Sequence, residues 1–471
     1  NITGAASPAF AKQDVTAQSG TTTINLNSGN VIFLTHSNST TIAFSNVPTA
    51  EIVTIVRTVD NANTITWPAA VAWNGVSTPT LIQNNSRDAA GQVFKLVTYN
   101  GGTNWYGYEI INSNSQTVGV FGWGDNQKGQ LGQNETTNYS SPKQIPGTWN
   151  LFEGGRGNGG VVMTKTDGTL WSWGWNDNIY GALGQNNRTN YSSPVQIGSG
   201  TDWSIGSAAY GISAAIKTNG ELWMWGNGAY GPLGQNNQTK YSSPVQVPGT
   251  TWATIDPGYE ETIATKTDGT LWSWGRNTSG MLGQNNRTDY SSPKQIPGTT
   301  WGFIHISDNH SGAVKTDGTL WLWGRGAHGT LGQNDLVSRS SPIQVPGTTW
   351  SKDRKKFTIA NDVVAAVKTD GTLWSWGSNT YAGLGHNNRT SRSSPTQIPG
   401  TNWDTVSGSS RTFYATKTDG TAWGWGNNQI AYGGFPLEIP GVNRSSPIQI
   451  PGTNWAYIRS TLRNTFATKN I

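Results

Sequence analysis

Polar and apolar positions alternate along almost the whole chain, in short runs separated by glycine-rich breaks. The clearest run is Lys165-Thr-Asp-Gly-Thr-Leu-Trp-Ser-Trp-Gly174. It returns letter for letter at Lys266–Gly275 and Lys368–Gly377, and with small changes at Lys217–Gly226, Lys315–Gly324 and Lys417–Gly426. Asp-Gly is a turn pair that tolerates positive φ, and Thr-Leu-Trp-x-Trp alternates faces with the period of a strand. The run therefore predicts half of a β-hairpin that ends at its glycine.

The repeat sets the architecture. The tryptophan that closes each copy falls at Trp123, Trp173, Trp225, Trp274, Trp323, Trp376 and Trp425, spaced 49 to 53 residues apart. A loop follows, usually Leu-Gly-Gln-Asn, then Ser-Ser-Pro-x-Gln, then in most copies Pro-Gly-Thr-x-Trp. Seven copies of about four short strands predict an all-β chain whose larger part is a β-propeller. The last copy, Trp455 to Lys469, lacks its Leu-Trp-Ser-Trp-Gly strand, and the first copy begins with that strand alone, Val118–Gly124. Together they complete one blade, so a ring closed by strand exchange is expected, which leaves no sheet edge exposed at the join.

The unit Trp-Gly-x-Asn-x-x-Gly-x-Leu-Gly, with its proline and its Lys-Thr-Asp-Gly-x-Leu-Trp-x-Trp-Gly, resembles the regulator-of-chromosome-condensation repeat across residues 118–471. The resemblance implies a seven-bladed propeller. It does not carry over the eukaryotic member's action on a Ran-type GTPase and chromatin, because the loop residues for that work have no match here and one fold hosts many functions.

Residues 1–20 are small and polar, a linker or a segment ordered by a partner. From 21 to 115 the alternating runs Thr21–Leu26, Val31–His36, Thr40–Phe44, Ile52–Val59, Ile65–Val71, Gln92–Tyr99 and Trp105–Ile111 predict an N-terminal antiparallel β-sandwich for attachment or oligomerisation. Thr64–Gly75, Thr78–Leu81 and Phe94–Gly107 are similar to a module of tailed-phage structural proteins. That resemblance implies a tail fibre or another virion appendage. A generic bacterial adhesin sandwich is the other reading of the same residues.

Composition narrows the chemistry. With 60 Gly, 24 Trp and no Cys, the chain suits short strands and tight turns and has no disulfide or thiolate metal site. Its net charge of +5 is mild for 471 residues, and Lys352–Lys356 is its one basic cluster, so no nucleic-acid partner is expected. No apolar run reaches the roughly 20 residues of a membrane span, so no membrane insertion is expected. No secretion leader opens the chain, which begins at Asn1 rather than Met, so a processed or incompletely represented amino end is expected.

Departures from the repeat mark candidate sites. The residue before Ser-Ser-Pro is Tyr139, Tyr191, Tyr241 and Tyr290 in four copies and Arg339, Arg392 and Arg444 in the last three. On a rim, such a set gives an aromatic half and a cationic half, suited to an acidic surface glycan; drift within a surface loop is the plainer reading. Arg188, Arg287 and Arg389 of the Asn-Asn-Arg-Thr loops join the same candidate surface. Between Trp350 and Lys368 four extra residues coincide with Lys352, Arg354, Lys355 and Lys356, a basic protrusion that either meets an acidic partner or is simply solvated. The five histidines share no repeat position, and no nucleophile elbow, phosphate loop or paired glycosidase carboxylates are visible, so no enzyme, cofactor or metal is expected. The resulting expectation is a virion structural protein that presents a propeller for host-surface or glycan recognition. Its partners would be other virion proteins, bound through the N-terminal domain, and a host-surface glycan or protein, with a homotrimer in view. The alternatives are a secreted or surface-anchored bacterial adhesin or lectin, and a purely architectural capsid or tail decoration.

Overall fold

The computed structural model describes residues 12–17, 20–28, 31–36, 40–47, 51–57, 65–66, 71–73, 92–98, 105–110, 118–150, 159–176, 180–409, 411–427, 443–461 and 464–470. The chain divides into two compact units, Asn1–Gln116 and Thr117–Ile471.

The described strands of the first unit form one sheet of six and one of three. Lys12–Ala17, Val31–His36 and Glu51–Arg57 run side by side in parallel, and so do Gly20–Asn25, Thr40–Ser45 and Ile65–Thr66. Antiparallel pairing begins only where Glu51–Arg57 meets Gln92–Thr98, which then pairs with Trp105–Ile110. Ile24, Leu26, Ile32, Leu34, Ile42, Val53 and Ile55 make one buried cluster. The antiparallel expectation is thus corrected for the first half of this unit: each strand pairs with the next but one. Side chains alternate with a period of two whichever way the neighbour runs, so the apolar pattern was right and the direction was open. Much of the phage-like segment, residues 74–91 among it, lies outside the described residues.

The second unit is a ring of seven sheets. We number its blades by their closing tryptophans: blade 1 holds Trp173, blade 2 Trp225, blade 3 Trp274, blade 4 Trp323, blade 5 Trp376, blade 6 Trp425 and blade 7 Trp123. Blade 4 shows the pattern. Trp301–Ser307, His310–Lys315, Leu320–Gly324 and Arg339–Gln344 pair in sequence order, each antiparallel to the last. Blade 7 joins the two ends of the unit: Val118–Gly124 pairs along its whole length with Asn464–Asn470, from Val118 opposite Asn470 to Gly124 opposite Asn464.

The tryptophans divide the work. The closing tryptophans are fully buried. In blades 1 to 6 the indole N–H of each donates to a backbone carbonyl in the loop of the preceding blade, such as Trp225 to Ala182 at 2.8 Å and Trp323 to Met281 at 2.8 Å. Burying one indole contributes roughly 2–3 kcal/mol, and each of these also locks two blades together. At the Lys-Thr-Asp-Gly corners, the aspartate accepts from the backbone and hydroxyl of the threonine two residues on, as Asp317 does from Thr319 at 2.9 and 2.7 Å. Gly318 completes that turn at φ +82°, which an L side chain rarely adopts.

Candidate functional site

The ring has two ends. One carries the Lys-Thr-Asp-Gly corners and the Pro-Gly-Thr-x-Trp links. The other carries the loops that join the first and second strands of each blade and those that follow each Trp-Gly.

At the corner end the arrangement is repetitive. The lysine of each corner lies over two aromatic rings of its own blade: Lys315 Nζ is 4.4 Å from the Trp301 ring and 4.6 Å from Trp321. Lys266, Lys368 and Lys417 repeat this on Trp252 and Trp272, Trp350 and Trp374, and Trp403 and Trp423.

At the loop end the residues differ from blade to blade, and three blades together build an aromatic arc. Tyr180 follows the closing strand of blade 1 and lies under Lys240 Nζ at 4.9 Å. It packs against Gly211, where a Cβ would stand 2.9 Å from the ring, so a larger residue there would displace Tyr180. Tyr210, beside that glycine, meets Tyr259 of blade 3 edge to face with ring centres 4.8 Å apart. Next to Tyr259, Glu260 accepts from Arg276, whose guanidinium stands 5.0 Å over Tyr230 of blade 2. Tyr230 and Tyr259 are 38% and 42% exposed, large for aromatic rings that could have been buried. Away from the arc, Tyr381 of blade 5 lies under Arg411 of blade 6 at 4.0 Å.

Buried polar groups lie close to this end. Glu261 is 1% exposed, and burial together with the Asp308 carboxylate pushes its acid well above the usual range. Its Oε2 accepts from the Glu260 backbone, while Oε1 is buried without a hydrogen bond. Asp256 of blade 3 accepts from the Ile306 backbone of blade 4 at 3.0 Å and lies 3.5 Å from His305 Nδ1. Among the described residues, no three His, Asp or Glu side chains converge as metal ligands, and no helix is long and apolar enough to cross a membrane.

The residues singled out in the sequence lie elsewhere. Tyr139, Tyr191, Tyr241, Tyr290, Arg339, Arg392 and Arg444 each open the outermost strand of a blade and are half-buried. The phenol oxygens of Tyr191, Tyr241 and Tyr290 accept from Asn187, Asn237 and Asn286 of their own loops, Tyr139 donates to Glu135, and Arg339 pairs with Asp335 at 2.8 Å. They mark one position on each of seven blades and are not brought together. Arg188, Arg287 and Arg389 are exposed on three separate blades. The basic insertion is pinned down at several points. Lys352 donates to the Thr316 carbonyl at 3.0 Å, Arg354 stands 5.8 Å over Phe303, and Lys356 pairs with Asp404 at 3.0 Å. The backbone N–H of Lys355 donates to Asp353, capping a single 3-10 turn. These contacts tie blade 5 to blades 4 and 6. The tyrosines of the arc escaped sequence reasoning because they occupy positions that vary within the repeat. Read across the copies, one such position gives Lys128, Tyr180, Tyr230, Ser279, His328 and Tyr381, and that variation was the available signal.

Comparison with known proteins agrees with the ring. A family model of the RCC1-like domain matches residues 119–450. Among curated proteins, none matches the chain. Saccharomyces cerevisiae Prp20p, a protein described with its binding to Gsp1p and histones, is similar at 19% identity and a TM-score of 0.64, over 75% of this chain and 92% of its own. Human WBSCR16 is similar at 16% identity and a TM-score of 0.64, over 75% of this chain and 99% of its own. Yeast RCC1 (Prp20) bound to Kap60 is similar at 19% identity and a TM-score of 0.63, over 75% and 89%. At these identities the structures establish the fold. The family match corrects the functional expectation. The match is to RCC1-like propellers of yeast and human origin, whereas the phage-like motif that carried the expectation is not supported. The virion appendage, the adhesin or lectin and the architectural decoration are therefore set aside, with their virion and glycan partners and their virion or cell-surface location. From its repeats, its seven sheets and a family match over residues 119–450, the chain belongs to the RCC1-like domain family.

Proposed function

We propose that the chain is a non-catalytic docking protein that takes a protein partner on the loop end of its propeller; the structurally similar Prp20p is described with its binding to Gsp1p. The observation that carries the reading is the contiguous arc of Tyr180, Tyr210, Tyr259 and Tyr230, joined by Glu260 and Arg276. Tyrosine and arginine are the side chains that most often dominate protein interfaces, because each covers much apolar area and still offers a polar tip. Family membership supports the same reading. The full pairing of Val118–Gly124 with Asn464–Asn470 supports a ring latched by an exchanged strand, which would hold the arc-bearing loops in fixed relation. The test is calorimetric titration of the full chain with purified Gsp1p, with histones as a second arm. We expect binding to Gsp1p, weakened at least tenfold in a Tyr230→Ala/Tyr259→Ala double variant that melts as the parent does. Absence of binding to Gsp1p, or binding that ignores the double substitution, would overturn the proposal.

A further inference from the structure

We infer that the pocket between blades 3 and 4, on the side of the corner end, is a binding subsite for a carboxylate carried by an acidic peptide. The pocket has a volume of about 350 Å³ and is walled by Trp301, Trp321, Pro297 and Pro342, with Gln284 and Gln295 at its polar side and Lys315 within it. That volume falls in the range of small-ligand sites, and the mix of broad apolar walls with a few polar groups is characteristic of them.

Three observations identify the occupant. First, Lys315 is held between two indoles, and among the described residues no carboxylate lies within ion-pair distance of it. Its ammonium is positioned and can still accept an anion. Second, the indole N–H of Trp301 is buried without a hydrogen bond, on a residue only 3% exposed, a feature it shares with Trp203, Trp252, Trp350, Trp403 and Trp455 at the matching place of their blades; what sets blade 4 apart is the pocket beside it. A Cβ built on Gly298 would stand 3.5 Å from that nitrogen and 3.9 Å from Lys315 Nζ. An oxygen entering beside Gly298 therefore approaches two donors at once. Third, blade 2, whose link is one residue longer, supplies an anion of its own to the matching lysine. Asp202, the residue before Trp203, sets its carboxylate 3.2 Å from Lys217 Nζ, and Glu221 lies at 3.9 Å. In blade 4 the residue before Trp301 is Thr300, and the place is left to an outside group. Thr300 has φ +67°, costly for a β-branched residue.

A carboxylate here gains a charge-assisted hydrogen bond, and the indole and proline walls receive the apolar side chain next to it. This site lies at the other end of the blades from the tyrosine arc, so it stands or falls independently of the proposed partner.

The experiment follows the indole N–H signals of the full chain, labelled with ¹⁵N-tryptophan, by NMR. The probe is an N-acetylated, C-amidated Gly-Leu-Glu-Leu-Gly peptide. Its Glu→Gln form with an amidated end is the neutral control, and the Gln form with a free carboxy end asks whether a terminal carboxylate serves as well. Trp301→Phe assigns the signal. We expect a saturable shift of the Trp301 signal with the Glu peptide, and at least tenfold weaker binding of the neutral peptide. Lys315→Met should cause the same tenfold loss with the protein still folded. Thr300→Asp keeps Lys315 and supplies an internal carboxylate, as in blade 2, so it should exclude the Glu peptide; it also guards against the case in which Lys315→Met fails to fold. Equal shifts with the Glu and neutral peptides, or undiminished binding by Thr300→Asp, would overturn the inference.

Discussion

The two ends of the ring are made by the same strands and are used differently. At the corner end, lysine, aspartate, glycine and two tryptophans return in nearly every blade with nearly the same distances. At the loop end, the position that gives Tyr180 and Tyr230 in blades 1 and 2 gives Ser279, His328 and Tyr381 in blades 3 to 5. Repetition follows from a shared structural need, since each blade must turn its corner and rivet itself to its neighbour. Where that need is absent the copies are free to differ, and there four tyrosines gather on one sector. Sameness thus marks the residues every blade needs in order to stand, and difference marks the loops where one sector departs from the rest.

Substitutions can break or sharpen that contrast. The largest effect belongs to a rivet. Trp323→Ala removes a fully buried indole and its bond to Met281, and should cost about 3–5 kcal/mol of unfolding free energy by chemical denaturation. If it costs no more than a surface change, the reading of the repeated residues as structural fails. Next, Tyr259→Ala should leave stability within about 0.5 kcal/mol while weakening Gsp1p binding by about 2 kcal/mol, the size of an interface hot spot. Destabilisation comparable to Trp323→Ala would mean that the arc is a second set of rivets.

Acid strength gives a subtler probe. Glu261 has a raised folded-state pKa, so its contribution is fully present below its ordinary value near 4.5 and is lost as pH rises through the folded value. Thermal melts from pH 5 to 8 should therefore show the parent losing more stability with rising pH than Glu261→Gln. The corner aspartates behave oppositely. Thr319 bonds hold Asp317 below the usual carboxylate range, and its contribution is present above that range and fades as pH falls through the lowered value. Smallest of all, Lys356→Ala breaks an inter-blade ion pair with a partly exposed aspartate, and about 0.2–1 kcal/mol is expected, shrinking with added salt.

Much of the ring was legible because its period is carried by residues with one structural use each. Trp-Gly marks a strand end, and Asp-Gly marks a corner. The first unit was less legible, because Val31–His36 alternates identically whether its neighbour runs with it or against it. The residues singled out before Ser-Ser-Pro are a different case. Tyr191 and Arg339 drew notice through their fixed place before Ser-Ser-Pro, yet that place is the start of an outermost strand, where a long side chain folds back on its own loop. Tyr259 follows Pro257-Gly258 in a loop that no other blade spells the same way, so no register pointed to it. Only the folded ring brings it to Tyr210 of another blade.

The shared blade also bears on how the molecule is made. Asn464 donates to the backbone of Asp125 across 339 residues of sequence, just past the strand Val118–Gly124 that pairs with Asn464–Asn470. On a ribosome, blades 1 to 6 can each form soon after their own residues emerge, whereas the strand Val118–Gly124 must wait for almost everything that follows. One of its edges can pair early with Tyr139–Gln144, but the edge that meets Asn464–Asn470 stays open through synthesis, so completing this blade is a long-range search rather than a local one. Assembly should accordingly end in a slow phase whose rate responds to substitutions in Asn464–Asn470 far more than to those in any middle blade.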